Sequence, residues 1–89
     1  MAGSYDDILK VIAEEVASMK LGEISAEDVT ADHNLWIDAG QPTLGLDSLD
    51  IFELVYRVES RTGLSFSAFD LMAATTVHDL VEQIIAPAA

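Results

Sequence analysis

Apolar residues along this chain fall into helical runs separated by one long stretch without a period. Tyr5, Ile8, Ile12, Val16 and Met19 recur at intervals of three and four, the spacing that lines one face of an α-helix. Ser4 stands ahead of this run as a candidate N-cap and Gly22 just beyond it, so residues 4–20 are expected to form a first helix. Asp6, Asp7, Lys10 and Glu14 occupy its other face. From Leu21 to Leu46 the period disappears, and Gly40, Pro42, Gly45 and many polar residues indicate a long connection. Connections of that length are uncommon in small domains and either carry function or cross a bundle. Ile24, Val29, Leu35, Trp36 and Leu44 are the expected anchors of this one to the core.

A second helix is predicted from Ser48 to Thr62, with Gly63 as a left-handed C-cap. At about 100° per residue, Ile51, Leu54, Val55, Val58 and Thr62 form its core stripe. Leu49 and Tyr56 fall on the opposite side with Phe52 at the margin, among Asp50, Glu53, Arg57 and Ser60. An apolar strip within a polar face has the composition of a docking surface. Residues 67–72 suit one or two short helical turns, with Ser67 as cap and Phe66, Phe69 and Met72 directed inward. Thr76 opens a final helix in which Val77, Leu80, Val81, Ile84 and Ile85 follow the i, i+3, i+4, i+7, i+8 pattern, and Pro87 stops it. No alternating strand pattern and no internal repeat is visible. The expected fold is therefore all-α: a small bundle of three principal helices plus one short helix, with a long loop between the first and second, in a single domain over residues 1–89.

Charge and composition narrow the function. The chain has 89 residues, with sixteen acids against four bases and a net charge of −12. A domain of this size buries roughly 60–65% of its unfolded surface, too little for a large catalytic cleft. The negative charge argues against nucleic acid and anionic membrane as partners and in favour of basic protein surfaces. Half the residues are hydrophobic (51%), more than a disordered acidic tail would have. There is no cysteine, so thiol chemistry has to arrive on a prosthetic group. The acidic start and the lack of a membrane-length apolar run lead to the expectation of a cytoplasmic protein with no membrane insertion, and a monomer is expected.

The chemistry concentrates at Gly45-Leu46-Asp47-Ser48-Leu49-Asp50-Ile51-Phe52-Glu53-Leu54. Asp47 is a candidate N-cap, and Asp50 stands three residues on, where a capping box and the helix dipole both favour an acid. Ser48 then takes about the first helical position. A phosphate esterified there would lie beside unpaired backbone N–H groups. Asp-Ser-Leu alone is an ordinary helix start, but its setting is more specific. The Leu44-Gly45-Leu46-Asp47-Ser48-Leu49 core, the Glu53-Leu54-Val55 continuation and Thr76-Val77 resemble, in order and over roughly Ile8 to Ile85, acyl carrier proteins at and around their phosphopantetheine attachment site. The resemblance implies that Ser48 receives 4′-phosphopantetheine from coenzyme A through a phosphopantetheinyl transferase, and that cargo is then held as a thioester. It implies a carrier and not an enzyme. Partners would be acyl-transferring or acyl-modifying enzymes with basic docking surfaces, steered by Asp47, Asp50, Glu53 and Glu59 and contacted by Leu49, Phe52 and Tyr56. The pathway would be fatty-acid, polyketide or related lipid biosynthesis. Lipid cargo folded among the helices would meet Val55, Phe66, Phe69 and Met72, which serve equally well as plain core. The alternatives are an aminoacyl or peptidyl carrier of a specialised pathway, and an unmodified acidic helical adaptor.

Other candidate sites fail on spacing. Asp32, Asn34, Asp38 and Gly40 suggest a calcium loop, but Trp36 takes a ligand position, Ile37 stands where glycine is needed and Thr43 replaces the bidentate acid. His33 and His78 lack a companion motif and are expected to be surface or cap residues. Ser48 has no Gly-x-Ser-x-Gly elbow. Three features depart from the family pattern: a loop about half a dozen residues longer before Leu44-Gly45, positive charge at Arg57 and Arg61, and a short-helix region offering only Asp70. Trp36, in the long loop, either pins it or contacts a partner or cargo.

Overall fold

Each predicted helix forms, and capping residues set the starts of α1, α2 and α4 and the end of α2. The structure, a computed structural model, describes residues 4–65 and 68–85, without the side chains of residues 68 and 69. α1 spans Tyr5–Met19 and begins where the Ser4 hydroxyl accepts the Asp7 N–H at 3.2 Å. It ends through two left-handed residues, Leu21 (φ 54°) and Gly22 (φ 85°), rather than at a single glycine. α2 spans Ser48–Thr62 and stops at Gly63, whose φ of 75° is the left-handed conformation glycine adopts without a Cβ penalty. α3 is one turn, Ala68–Leu71, and α4 spans Val77–Ile85. At the start of α4, Thr76 Oγ1 accepts the Asp79 N–H at 3.1 Å, and the Asp79 carboxylate accepts the Thr76 N–H at 3.2 Å. This reciprocal cap satisfies two otherwise orphaned donors.

The expectation of no strand is corrected. Asn34–Trp36 (β1) and Thr43–Leu46 (β2) form a two-stranded parallel sheet with an irregular register, and Asn34 also bridges to Thr76. Three- and four-residue strands are too short to display a convincing alternation, although Leu35, Leu44 and Leu46 do point inward. The sheet arises because peptide groups crossing a bundle need partners. Asn34 N donates to Pro42 O at 2.8 Å, Leu35 N to Thr75 O at 2.9 Å, and Ile37 N to Leu46 O at 2.9 Å. The long connection, which also contains a 3₁₀ turn at Ala26–Asp28, is thereby tied to β2 and to the start of α4.

One core joins these parts. Ile8, Ile12 and Val16 of α1 meet Ile51, Leu54 and Val58 of α2, Val77, Leu80 and Val81 of α4, and Leu35 and Leu46 from the sheet. Each such side chain, fully buried, contributes roughly 1.5–3 kcal/mol. Of the expected loop anchors, Val29, Leu35 and Leu44 are buried, while Ile24 and Trp36 pack half-buried against the core. The Trp36 indole N–H donates to Ala74 O at 2.8 Å, so Trp36 pins the loop to the segment before α4. Thr62, expected in the core stripe, is half-buried and donates its hydroxyl to Val58 O. Phe66, Ser67 and Pro87, the last expected to stop the final helix, lie outside the described residues, as does the Phe69 side chain. Among the described residues of that region Leu71 and Ala74 are buried, with Met72 half-buried beside the core.

Arg57 and Arg61 do not form a basic patch. Arg57 bonds Glu15 at 3.1 Å and Glu53 at 2.8 Å, and Arg61 bonds Glu14 at 2.9 Å and Glu15 at 3.2 Å. Both guanidiniums are pushed above their ordinary pKa, Arg57 first by its hydrogen bond to Glu53 and Arg61 first by that to Glu14. Two of the four basic residues are thus spent clipping α1 to α2.

Candidate functional site

The local sequence builds a turn that presents one hydroxyl. Asp47 has extended backbone, and its Oδ1 accepts the Asp50 N–H at 2.8 Å; in return Asp50 Oδ2 accepts the Asp47 N–H at 3.1 Å. This closed capping box turns both carboxylates toward the backbone. Ser48 follows as the first residue of α2, exposed, and among the described residues its hydroxyl has no hydrogen-bond partner. With the Asp47 and Asp50 amides engaged, the first-turn amides of Ser48 and Leu49 remain at the positive end of the helix. That arrangement fits a phosphodiester on Ser48: the oxygen is reachable, the anion meets the favourable end of the dipole, and the two nearest carboxylates are already hydrogen-bonded.

The approach to this turn is braced by Gly45 and Thr43 and by Lys20, which sequence reasoning did not single out. Gly45 has a φ of 68°, and Lys20 Nζ donates to its carbonyl at 3.3 Å from the end of α1. Thr43 Oγ1 accepts the Gly45 N–H at 3.1 Å and donates to Trp36 O at 2.6 Å. Gly45 was a visible signal. Nothing in the sequence indicated that a lysine 25 residues earlier closes over it.

Along α2 beyond Ser48, Leu49 (77% exposed), Phe52 (41%) and Tyr56 (69%) form the expected apolar strip. Glu53 is exposed although paired with Arg57, and Asp50 and Glu59 are half-buried. The structure therefore places all eight expected site residues on one helix start and its outward face. It also gives Asp50 a capping duty and Glu53 an internal partner in addition to any role in steering.

The histidines are separate. His33 Nδ1 accepts the Thr30 N–H at 3.1 Å and closes a turn, whereas His78 Nδ1 lies 2.6 Å from the Tyr5 hydroxyl between α4 and α1. Burial, followed by the nearby acids Glu82, Asp32 and Asp6, raises the Tyr5 pKa. Among the described residues no three His, Asp or Glu side chains group as metal ligands, and no helix is long and apolar enough to cross a membrane.

A concavity of about 310 Å³ lies between α1 and the 3₁₀ turn, lined by Leu9, Ala13, Ala26 and Val29 and by Asp6, Lys10, Glu14 and Glu27. It involves none of the residues around Ser48.

Comparison with known proteins identifies the family. The family described as "Phosphopantetheine attachment site" matches residues 7–84. The chain belongs to this family, that of the acyl carrier proteins, whose members are carriers rather than enzymes and whose prosthetic group is 4′-phosphopantetheine. One relative, the acyl carrier protein of Treponema denticola, is 38% identical over 79 residues, which span 89% of this chain and 92% of the relative. No solved structure matches the chain.

Proposed function

We propose that Ser48 is the attachment point, and that the protein shuttles acyl intermediates of fatty-acid, polyketide or related lipid biosynthesis between enzymes. The observation that carries the assignment is the exposed, uncommitted Ser48 hydroxyl at the first position of α2, beside a capping box that makes no use of it. When attached, the arm supplies the thiol that the chain's own residues lack and on which acyl groups travel as thioesters. Asp47 sets the turn so that Ser48 Oγ points to solvent. Leu49, Phe52 and Tyr56 offer short-range apolar contact, and Asp47, Asp50, Glu53 and Glu59 attract basic surfaces over a longer range. Electrostatic attraction speeds encounter without tightening the bound state greatly, which suits a shuttle that must let go. The proposed partners are a phosphopantetheinyl transferase and acyl-handling enzymes with basic docking surfaces, meeting a cytoplasmic monomer.

The test is intact mass after incubation with coenzyme A and a promiscuous phosphopantetheinyl transferase. Wild type should gain one phosphopantetheine and Ser48→Ala none. Labelling of Ser48→Ala, or no gain in wild type, refutes the assignment, and the latter outcome would favour an unmodified acidic adaptor. An aminoacyl or peptidyl cargo would leave this result unchanged and is separated by offering the holo form to acyl- and aminoacyl-loading enzymes.

A further inference from the structure

Trp36 and Ile37 are neighbours with opposite fates. The Trp36 indole is turned in and hydrogen-bonded to Ala74 O, whereas Ile37 stands 67% exposed, among the large apolar residues most open to water. Ile37 is nevertheless held. Its N–H donates to Leu46 O at 2.9 Å, and Leu46 lies two residues before Ser48. The loop beyond it is tied by Asn34 Nδ2 to Gly40 O at 2.6 Å, Ala39 N to Trp36 O at 3.0 Å and Thr43 N to Gln41 Oε1 at 3.3 Å. An exposed branched apolar side chain on a braced loop loses little entropy when covered.

We infer that Ile37 is a specificity contact for the transferase that loads Ser48, in addition to Leu49, Phe52 and Tyr56. The inference rests on the reading of Ser48 as the attachment point. Any enzyme that reaches Ser48 Oγ covers the surface around it, and a standard interface of about 800 Å² per partner is a disc of roughly 16 Å radius. Two residues of extended chain add at most about 7 Å to the 2.9 Å link at Leu46, so the Ile37 backbone lies within roughly 10 Å of Ser48. It falls inside the footprint. The exposed Asp38 beside it and Asp47 define the occupant's chemistry: an apolar recess flanked by basic side chains.

The experiment measures KM and kcat for phosphopantetheine transfer from coenzyme A by a promiscuous transferase, with the protein varied as substrate. Ile37→Ala and Ile37→Thr remove apolar surface, and the latter keeps the β-branched shape, so the side chain's χ1 stiffness is retained. Both should raise KM by roughly fivefold, leave kcat within about twofold and leave the thermal melt unchanged, a size expected for partial burial of one aliphatic side chain. Leu64→Ala, just past the end of α2, whose last residue Thr62 lies about 21 Å along the helix from Ser48, is at the opposite end of that helix from the serine and should leave KM alone. An unchanged KM in both Ile37 variants, or a fall in kcat without a rise in KM, overturns the inference. Loss of labelling in wild type would instead overturn the Ser48 reading beneath it.

Discussion

Replacing Asp47 by alanine separates the turn's architecture from its chemistry. The Asp47 carboxylate accepts the Asp50 N–H at 2.8 Å, and losing such a cap costs about 1 kcal/mol, within a range of about 0.5–2. Its negative charge at the helix N-terminus adds about 0.3–1 kcal/mol. Removing one acid from a chain of net charge −12 relieves some repulsion and offsets part of this loss. A net cost of about 1 kcal/mol lowers the melting temperature of a domain this size by roughly 4–8 °C. Asp47→Asn keeps an acceptor of nearly equal capping strength and should stay within about 3 °C of wild type. Ser48→Ala should stay closer still, because its hydroxyl holds nothing in the fold, yet it should abolish loading entirely. Thermal melts followed by far-ultraviolet circular dichroism, alongside the mass assay, measure both properties in each variant. Asp47→Ala melting with wild type, or Ser48→Ala melting as low as Asp47→Ala, would refute the division between a residue that builds the turn and one that carries the arm.

Three further expectations follow from other contacts. At the start of α4, the Asp79 carboxyl is held below its ordinary pKa by the backbone N–H of Thr76 and then that of Thr75, with burial opposing. A carboxylate depressed in the folded state stabilises above its unfolded pKa of about 3.9 and loses that contribution as pH falls through the folded value, so the gap in melting temperature between wild type and Asp79→Ala should be full at neutral pH and shrink below about pH 4; a gap constant down to pH 2 would contradict this. Repulsion among sixteen acids is screened by salt while burial is not, so melting temperature at neutral pH should rise with moderate sodium chloride, and a flat or falling series would mean that the ion pairs of Arg57 and Arg61 already balance the charge. Glu53→Lys should slow docking to a basic enzyme more at low salt than at high, and Leu49→Ala should weaken it at both; because Glu53 also pairs with Arg57, Arg57→Gln is the control, and equal salt dependence of the Glu53 and Leu49 variants would end the distinction between steering and contact.

What the sequence by itself determined was whatever depends on neighbours a turn apart. The period of Ile51, Leu54, Val55 and Val58 determined which side of α2 is buried, and that same period left Leu49 and Tyr56 outside. Asp47 and Asp50, three residues apart, determined the cap and hence the exposure of Ser48. The order of motifs around them was enough to suggest the family. Tertiary structure decided whatever depends on residues distant in the chain. Whether Trp36 pins the loop or faces a partner turned on a carbonyl 38 residues away, at Ala74. Strand pairing over residues 34–46 was invisible because runs of three and four residues carry almost no periodic signal, and their hydrogen bonds are completed by Pro42, Leu46 and Thr75. Arg57 and Arg61 read as unusual positive charge on a docking helix until α1 brought Glu14 and Glu15 against them. Lys20 became part of the serine's surroundings only because α1 ends beside β2, where its ammonium reaches the Gly45 carbonyl.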